Sequence, residues 1–268
     1  MEKADRKTRL AIVSAMLLNE PGRSFQLKVF CDKFGAAKST MSEDISMLKN
    51  MFKKFGQGEI EVSLGAGGGV RYVPSLSPEQ KTALLYDVSA RLSDPSRILP
   101  GGYIYTVDIL SNPKYLGPMA DMLAAMFVRA NADFVVTVET KGVALALLVA
   151  RALGKPLVVA RRDLKITEGS VVTINYLANS SRRMMTMSLS KRAVSAGQKA
   201  LIIDDFIAGG GTVHALCEMM REFSITVVGS GAAIVTRLPE KKQIDGYKAL
   251  LQLEDIDEAS QRIIIHPV

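Results

Sequence analysis

At 268 residues the chain is long enough for one large domain or a small one joined to a medium one, and with 48% hydrophobic residues it can bury a core, which excludes wholesale disorder. Its formal net charge of +7 favours an acidic partner, either nucleic acid or a phosphorylated ligand; residues 1–74 hold twelve Lys/Arg against eight Asp/Glu, so the basic excess is densest at the N-terminus. Two well-separated cysteines, Cys31 and Cys217, and two histidines exclude a disulfide framework and a metal-ligand cluster and fit a reducing cytoplasm.

The first apolar run, residues 10–18, follows a basic stretch in the manner of a secretory signal. Glu2 and Asp5 interrupt that charge, NEPGRS follows where a cleavage site would need small residues, and the run is too short to span a bilayer. It therefore reads as the buried first helix of a soluble protein with no membrane partner, stopped by Asn19, Pro21 and Gly22. Ser24 is placed to cap a second helix over residues 25–34, which Gly35 ends. Residues 40–43 have capping-box spacing for a third helix, in which Met41, Ile45, Leu48 and Phe52 form an inward stripe. Lys38, Ser39, Ser42, Ser46 and Lys49 face outward. EIEVSL and VRYV, around the turn GAGGG, predict a hairpin. Three helices and a hairpin make a winged helix-turn-helix pattern. Its recognition helix, over residues 39–52, would set Ser39, Thr40 and Ser42 against base edges and Lys38 and Lys49 on phosphates of double-stranded DNA, with Arg71 the cation nearest the wing.

The two prolines and two serines of VPSLSPEQ predict a domain boundary near Pro74, dividing the chain into residues 1–74 and 75–268. A helix over 78–92 follows. Apolar runs at 134–138, 156–160, 199–204 and 226–235 then alternate with the helical stretches ALALLVARAL and VHALCEMMREF, as in βαβ units, so the fold class is α/β with a central parallel sheet. VVTINYL and MMTMSL, around NSSRR, predict a long β-ribbon projecting from that sheet.

The most informative segment is ALIIDDFIAGGGTVHAL. An apolar strand delivers Asp204 and Asp205 to the carboxyl edge of the sheet, where α/β ligand sites lie. The side-chain-poor loop Ala208, Gly209, Gly210 and Gly211 lets backbone amides approach an anion, and Thr212 adds a hydroxyl at a helix N-terminus. Carboxylates for ribose hydroxyls beside neutral phosphate donors suit a sugar phosphate. No Lys follows the glycines, which excludes a Walker loop.

Residues 202–212 resemble the phosphoribosyl diphosphate (PRPP) motif of type I phosphoribosyltransferases, with one departure: Gly209 stands where those enzymes often have Thr or Ser. The resemblance implies a pyrophosphate loop at Thr140, Lys141 and Gly142, after the strand FVVTV. It also implies a basic residue facing the ligand at the end of the next strand, at Arg161 or Arg162, with Arg161 the choice. RILPGGYIYTVDIL is similar to a segment near the base pocket of adenine-type enzymes, where Tyr103 or Tyr105 stacks on a ligand or packs in the core. The ribbon occupies the position of the loop that closes over PRPP. Arg182, Arg183, Lys191 and Arg192 would then neutralise a diphosphate, or would decorate a solvated ribbon. Met184, Met185 and Met187 are expected to pack against protein, and His214 to be a polar helix residue.

In this order, the two halves resemble the pur operon repressors of Gram-positive bacteria. That resemblance implies a homodimeric, cytoplasmic regulator which binds purine-operon control DNA and senses PRPP, with Mg²⁺, without transferring the sugar and without any required cofactor. A guanosine alarmone bearing diphosphates would compete for the pocket. The alternative is an active purine phosphoribosyltransferase with an accessory domain.

Overall fold

The computed structural model describes residues 4–63, 68–162, 169–178 and 183–268. The GAGGG turn and the NSSRR loop tip lie largely outside them, Arg182 included. The chain begins with three helices, α1 (Arg6–Asn19), α2 (Leu27–Phe34) and α3 (Lys38–Lys54), followed by an antiparallel pair, β1 (Glu59–Val62) and β2 (Val70–Val73). The expected stripe of Met41, Ile45, Leu48 and Phe52 is buried against Val13, Leu17 and Phe30. Gly35 closes α2 in the left-handed region (φ 59°), where a glycine adds no Cβ strain.

Both predicted caps differ in the structure. Phe25 leaves the helix to bridge Val70, so α2 starts two residues later from Gln26, with no side-chain cap. Helix α3 starts at Lys38 from an Ala37 cap, so Thr40 and Glu43 lie inside its first turns rather than forming a capping box. A second buried feature was not anticipated: Asp44, 1% exposed, accepts from Arg6 Nε at 3.0 Å and from Arg9 Nε at 2.7 Å, tying α3 to α1.

Helix α4 (Pro78–Leu92) opens with a capping box in which Ser77 and Gln80 satisfy each other's backbone amides. A short hairpin, β3 (Ile98–Leu99) and β4 (Tyr103–Ile104), precedes α5 (Val107–Leu110) and α6 (Pro113–Phe127). Then come β5 (Phe134–Val138), α7 (Gly142–Leu153), β6 (Leu157–Ala160), the ribbon β7 (Val171–Ala178) and β8 (Arg183–Ser190), β9 (Lys199–Ile207), α8 (Gly211–Glu222), β10 (Thr226–Thr236), β11 (Lys248–Asp257) and β12 (Arg262–Pro267). The six-stranded sheet runs β12-β11-β10-β9-β5-β6, parallel except for the β12 edge. The ribbon pairs with itself and meets the sheet through an isolated bridge between Arg161 and Ser188. Helix α6 and strands β11 and β12 have no counterpart in the sequence expectation.

Alternate residues of β5 and β9 feed two cores. Val135, Leu201 and Ile203 pack under α4, α6 and α7, while Phe134, Val136, Ala200 and Ile202 pack under α8 and the ribbon. A parallel sheet covered on both faces needs such unbroken apolar strands. Among the described residues no helix is long and apolar enough to cross a membrane.

The halves meet where α7 ends. Gly22 and Gly154 are both left-handed and pass backbone against backbone, so that a methyl on Gly154 would sit 2.7 Å from the Gly22 carbonyl carbon. Arg151 Nη2 donates to the Leu18 carbonyl at 3.2 Å. Burial pushes the neighbouring Asp121 carboxyl up to about 6, and the Arg151 charge offsets only part of that rise. A carboxyl whose folded pKa is raised loses stability as pH climbs from its ordinary value near 4 to about 6. Asp121→Asn should therefore raise stability above pH 6, by about 1–2 kcal/mol after solvent screening, and leave it unchanged below pH 4. Urea midpoints across that range check this; an equal effect at both ends would contradict it.

Candidate ligand pocket and DNA-facing helix

The carboxyl edge of the sheet opens into a cavity of about 490 Å³ between the ends of β5 and β9, the β3–β4 hairpin and the first turn of α8. Strand β9 runs further than expected, to Ile207, so both acids sit on hydrogen-bonded strand backbone. Asp204 is 7% exposed, and its Oδ1 accepts the Asp205 amide at 2.9 Å. Burial, reinforced by the Asp205 charge, pushes the Asp204 carboxyl well above the usual carboxylate range, with Arg162 pulling weakly the other way. The N-terminus of α7 lies directly against this acid. A Cβ on Gly142 would come within 2.7 Å of Asp204 Oδ1 and 2.8 Å of Thr137 Oγ1, so this position leaves no room for a side chain.

The loop from Ala208 to Gly211 also lines the cavity. Gly210 takes φ 83° and caps α8 without a side chain, leaving the first-turn amides, which a helix cannot pair internally, as anion donors. The loop is braced from behind: the Gln243 amide donates to the Gly209 carbonyl at 2.9 Å, and Ile244 fills the space where a Gly210 Cβ would sit. Thr212 lies in the first turn and lines the cavity.

Thr140, Lys141 and Gly142 form the opposite wall, after a cis Glu139–Thr140 peptide. Glu139 accepts the Arg162 amide at 2.8 Å and Arg161 Nη1 at 3.2 Å. This reverses the choice of basic residue. Arg161 is held by Glu139 and exchanges backbone hydrogen bonds with Ser188, whereas Arg162 lines the cavity. Tyr103 stands half-exposed at the cavity wall; Tyr105 does not line it. Ile104, Phe206, Leu253 and Ile256 add apolar wall to the cavity, and Thr106 and Thr236 add hydroxyls. Of these six, Ile104, Thr106 and Phe206 lie within RILPGGYIYTVDIL and ALIIDDFIAGGGTVHAL without having been singled out, and Thr236, Leu253 and Ile256 lie outside every motif.

On the ribbon, Met187 is buried and Met185 packs against the same core, but Met184 is 69% exposed, against expectation. Lys191 and Arg192 lie exposed in the turn after β8. His214 is an exposed residue of α8, 3.9 Å from the Glu218 carboxylate.

Asp204 and Asp205, with no histidine in the lining and the third acid, Glu139, engaged by Arg161 and by the Arg162 amide, suit a hard cation that arrives with a diphosphate, because Mg²⁺ is commonly held by one or two carboxylates together with ligand phosphates. Among the described residues no cluster of three or more metal-ligating side chains exists.

On α3, Lys38, Ser39, Ser42, Ser46 and Lys49 are exposed on one face, with Thr40 half-buried beside them. Arg71 does not join this face. Its guanidinium pairs with Glu61 across β1 and β2 (Nε to Oε2, 2.7 Å), and it lines the groove at the domain junction with Arg151 and Lys155.

Residues 5–74 match the family model described as "Bacterial purine repressor, N-terminal", and residues 108–263 match the "Phosphoribosyl transferase domain". The chain is 42% identical to the probable purine biosynthesis transcriptional regulator PurR of Streptococcus pneumoniae serotype 4, covering 97% of this chain and 95% of the relative. It is 38% identical to the purine biosynthesis transcriptional repressor PurR of Bacillus subtilis (98% and 92%) and 36% identical to the purine biosynthesis transcriptional activator PurR of Lactococcus lactis subsp. lactis (96% and 95%). With both halves matched in this order and relatives aligned over nearly their full length, the chain belongs to the PurR family of purine biosynthesis transcriptional regulators.

Proposed function

We propose that this chain is a homodimeric, DNA-binding transcriptional repressor of purine biosynthesis genes, whose affinity for double-stranded control DNA is set by PRPP held in the cavity without sugar transfer. The observation that carries the reading is the cavity itself: two carboxylates on a strand end face a side-chain-free loop and an uncapped helix N-terminus, in a chain that also presents a polar, cationic helix face. Ribose hydroxyls would donate to Asp204 and Asp205, the 5′-phosphate would accept from amides over Gly209 to Thr212, and the diphosphate would lie on Thr140, Lys141 and Gly142 with Arg162 nearby. Mg²⁺, held by Asp204 and Asp205, would supply charge neutralisation for the diphosphate. The domain division is placed near Pro74.

PRPP has no base, whereas the cavity also offers space against the apolar side chains of Ile104, Phe206, Leu253 and Ile256. That space supports competition by a purine nucleotide bearing diphosphates, such as a guanosine alarmone. It equally supports the second reading, an active purine phosphoribosyltransferase. Gly209, which lacks the hydroxyl common in the enzymes, favours the sensor. Relatives of similar identity are named repressor and activator, which fits a ligand-controlled DNA affinity whose outcome depends on where the DNA site lies relative to the promoter.

Gel-shift titration on a purine-operon control region, with and without PRPP and Mg²⁺ at fixed salt, tests the proposal. A PRPP-dependent change in affinity in either direction is expected; absence of a shift at low salt would sink the DNA assignment. Incubation with PRPP and each purine base should release no pyrophosphate at enzyme-like rates, and release would favour the enzyme.

A further inference from the structure

We infer that helix α7 links the ligand cavity to the DNA-binding helix and that Arg151 is the positioning residue at its far end, a role that rests on the sensor reading above. Helix α7 spans twelve residues, about 18 Å at 1.5 Å per residue. Both of its ends are wedged. At the cavity, Gly142 lies too close to Asp204 and Thr137 for any side chain. At the other end, Leu153 and Gly154 lie backbone against backbone with Gly22.

Between these ends, Leu145, Ala146, Val149 and Ala150 are buried in the core under α6 and the sheet. Close-packed apolar faces transmit a displacement rather than absorb it. A shift at residues 140–142, such as a bound diphosphate would impose, is therefore delivered to the domain junction as movement of one rigid body.

Arg151 receives it. Its guanidinium donates to the Leu18 carbonyl, which sits in the last turn of α1 and has no partner within that helix. A cation at a helix C-terminus is also favoured by the helix dipole. At its opposite end α1 is tied to α3 by Arg6 and Arg9 on the buried Asp44. Each joint is thus a specific contact, running from Gly142 along α7 to Arg151, then from Leu18 along α1 to Asp44 of the recognition helix. Lys38, Ser39 and Ser42 lie within two turns of Asp44 on the same helix. Coupling of this kind is reciprocal, so DNA must alter PRPP affinity by the same factor.

The test uses the full chain and Arg151→Met, which keeps an apolar stem and removes the donor. PRPP affinity by calorimetry should stay within about twofold of the parent, and DNA should still bind without ligand. The ratio of DNA affinities with and without PRPP should fall at least about fivefold towards unity, the low end of ordinary coupling factors. Arg151→Lys, which keeps the charge, should recover part of the ratio. An unchanged ratio in Arg151→Met, with the parent responsive, overturns the inference and leaves the sensor reading intact; an unresponsive parent overturns the sensor reading first. Should Arg151→Met not fold, hydrogen exchange on the parent decides. PRPP should change protection in residues 17–24 and 151–155, and no change there in the PRPP-saturated protein rejects the role of α7.

Discussion

Asp204→Ala combined with Asp205→Ala abolishes the response to PRPP and leaves DNA binding at its ligand-free strength. Hydrogen bonds to a charged group are worth about 1.5–3 kcal/mol each, so removing both carboxylates should weaken PRPP by roughly a hundredfold or more. The exposed polar face of α3 is carried by a separate core, built on Met41, Ile45, Leu48 and Phe52, and should keep its geometry. Asp204 is already buried at a cost: its carboxyl is pushed well above the usual range, so the free protein loses stability as pH rises from the ordinary carboxylate value up to that raised pKa. Replacing it should therefore not lower the melting temperature near neutral pH by more than the small cavity accounts for. Donors from ribose hydroxyls and a ligand-borne cation favour the ionised form, so binding lowers the Asp204 pKa and should release a proton at any pH where the free carboxyl is still protonated. Calorimetry in buffers of different ionisation heat reads that proton directly. A double variant with normal PRPP response would show that the ligand sits elsewhere.

The second large effect is structural. Asp44→Ala removes the shared acceptor of Arg6 and Arg9, of which Arg9 is largely buried. Leaving a buried charge unpaired costs about 3–5 kcal/mol, and the exposure of Arg6 places the expectation near the lower figure. A marginally stable small domain would lose most of its DNA affinity at 37 °C through that change alone. The urea midpoint should drop accordingly, whereas the triple replacement Arg6→Met, Arg9→Met and Asp44→Leu should recover most of the loss, because an apolar trio of similar volume leaves no charge unpaired. Equal destabilisation by the triple variant would assign the effect to packing rather than charge.

These two sites differ in how readable they were. Asp204, Asp205 and the glycine loop were legible because strand, acids, loop and helix follow one another without a gap, and each step has a local physical cause. The stripe of α3 was legible for the same reason. Asp44 was not. It borders the apolar stripe beside Ile45, but its partners are 35 and 38 residues earlier, and only the α1–α3 packing brings them together. An acid next to the apolar stripe of α3 and two arginines three residues apart on α1 were the available signal.

The choice between Arg161 and Arg162 turned on a one-residue alternation at the end of β6, which the Arg161–Ser188 bridge sets and periodicity alone does not. Arg71 was read as a wing cation because it lies near the hairpin tip in sequence; in space Glu61 neutralises it and it faces the other domain. Ser24 lost its capping role because Phe25 gained a strand partner, a tertiary contact overriding a local preference.

The seam at Gly22 and Gly154 has a further consequence for how such proteins can be recombined. At their closest approach the two halves meet through main chain, so that this point of the join is specified by missing side chains and not by a matched pair of them. A chimera carrying the DNA-binding half of one relative and the ligand-binding half of another needs no co-adapted pair at this point. There it needs both glycines and, beside them, the Arg151 donor to the Leu18 carbonyl, so the halves are exchangeable between relatives that keep all three.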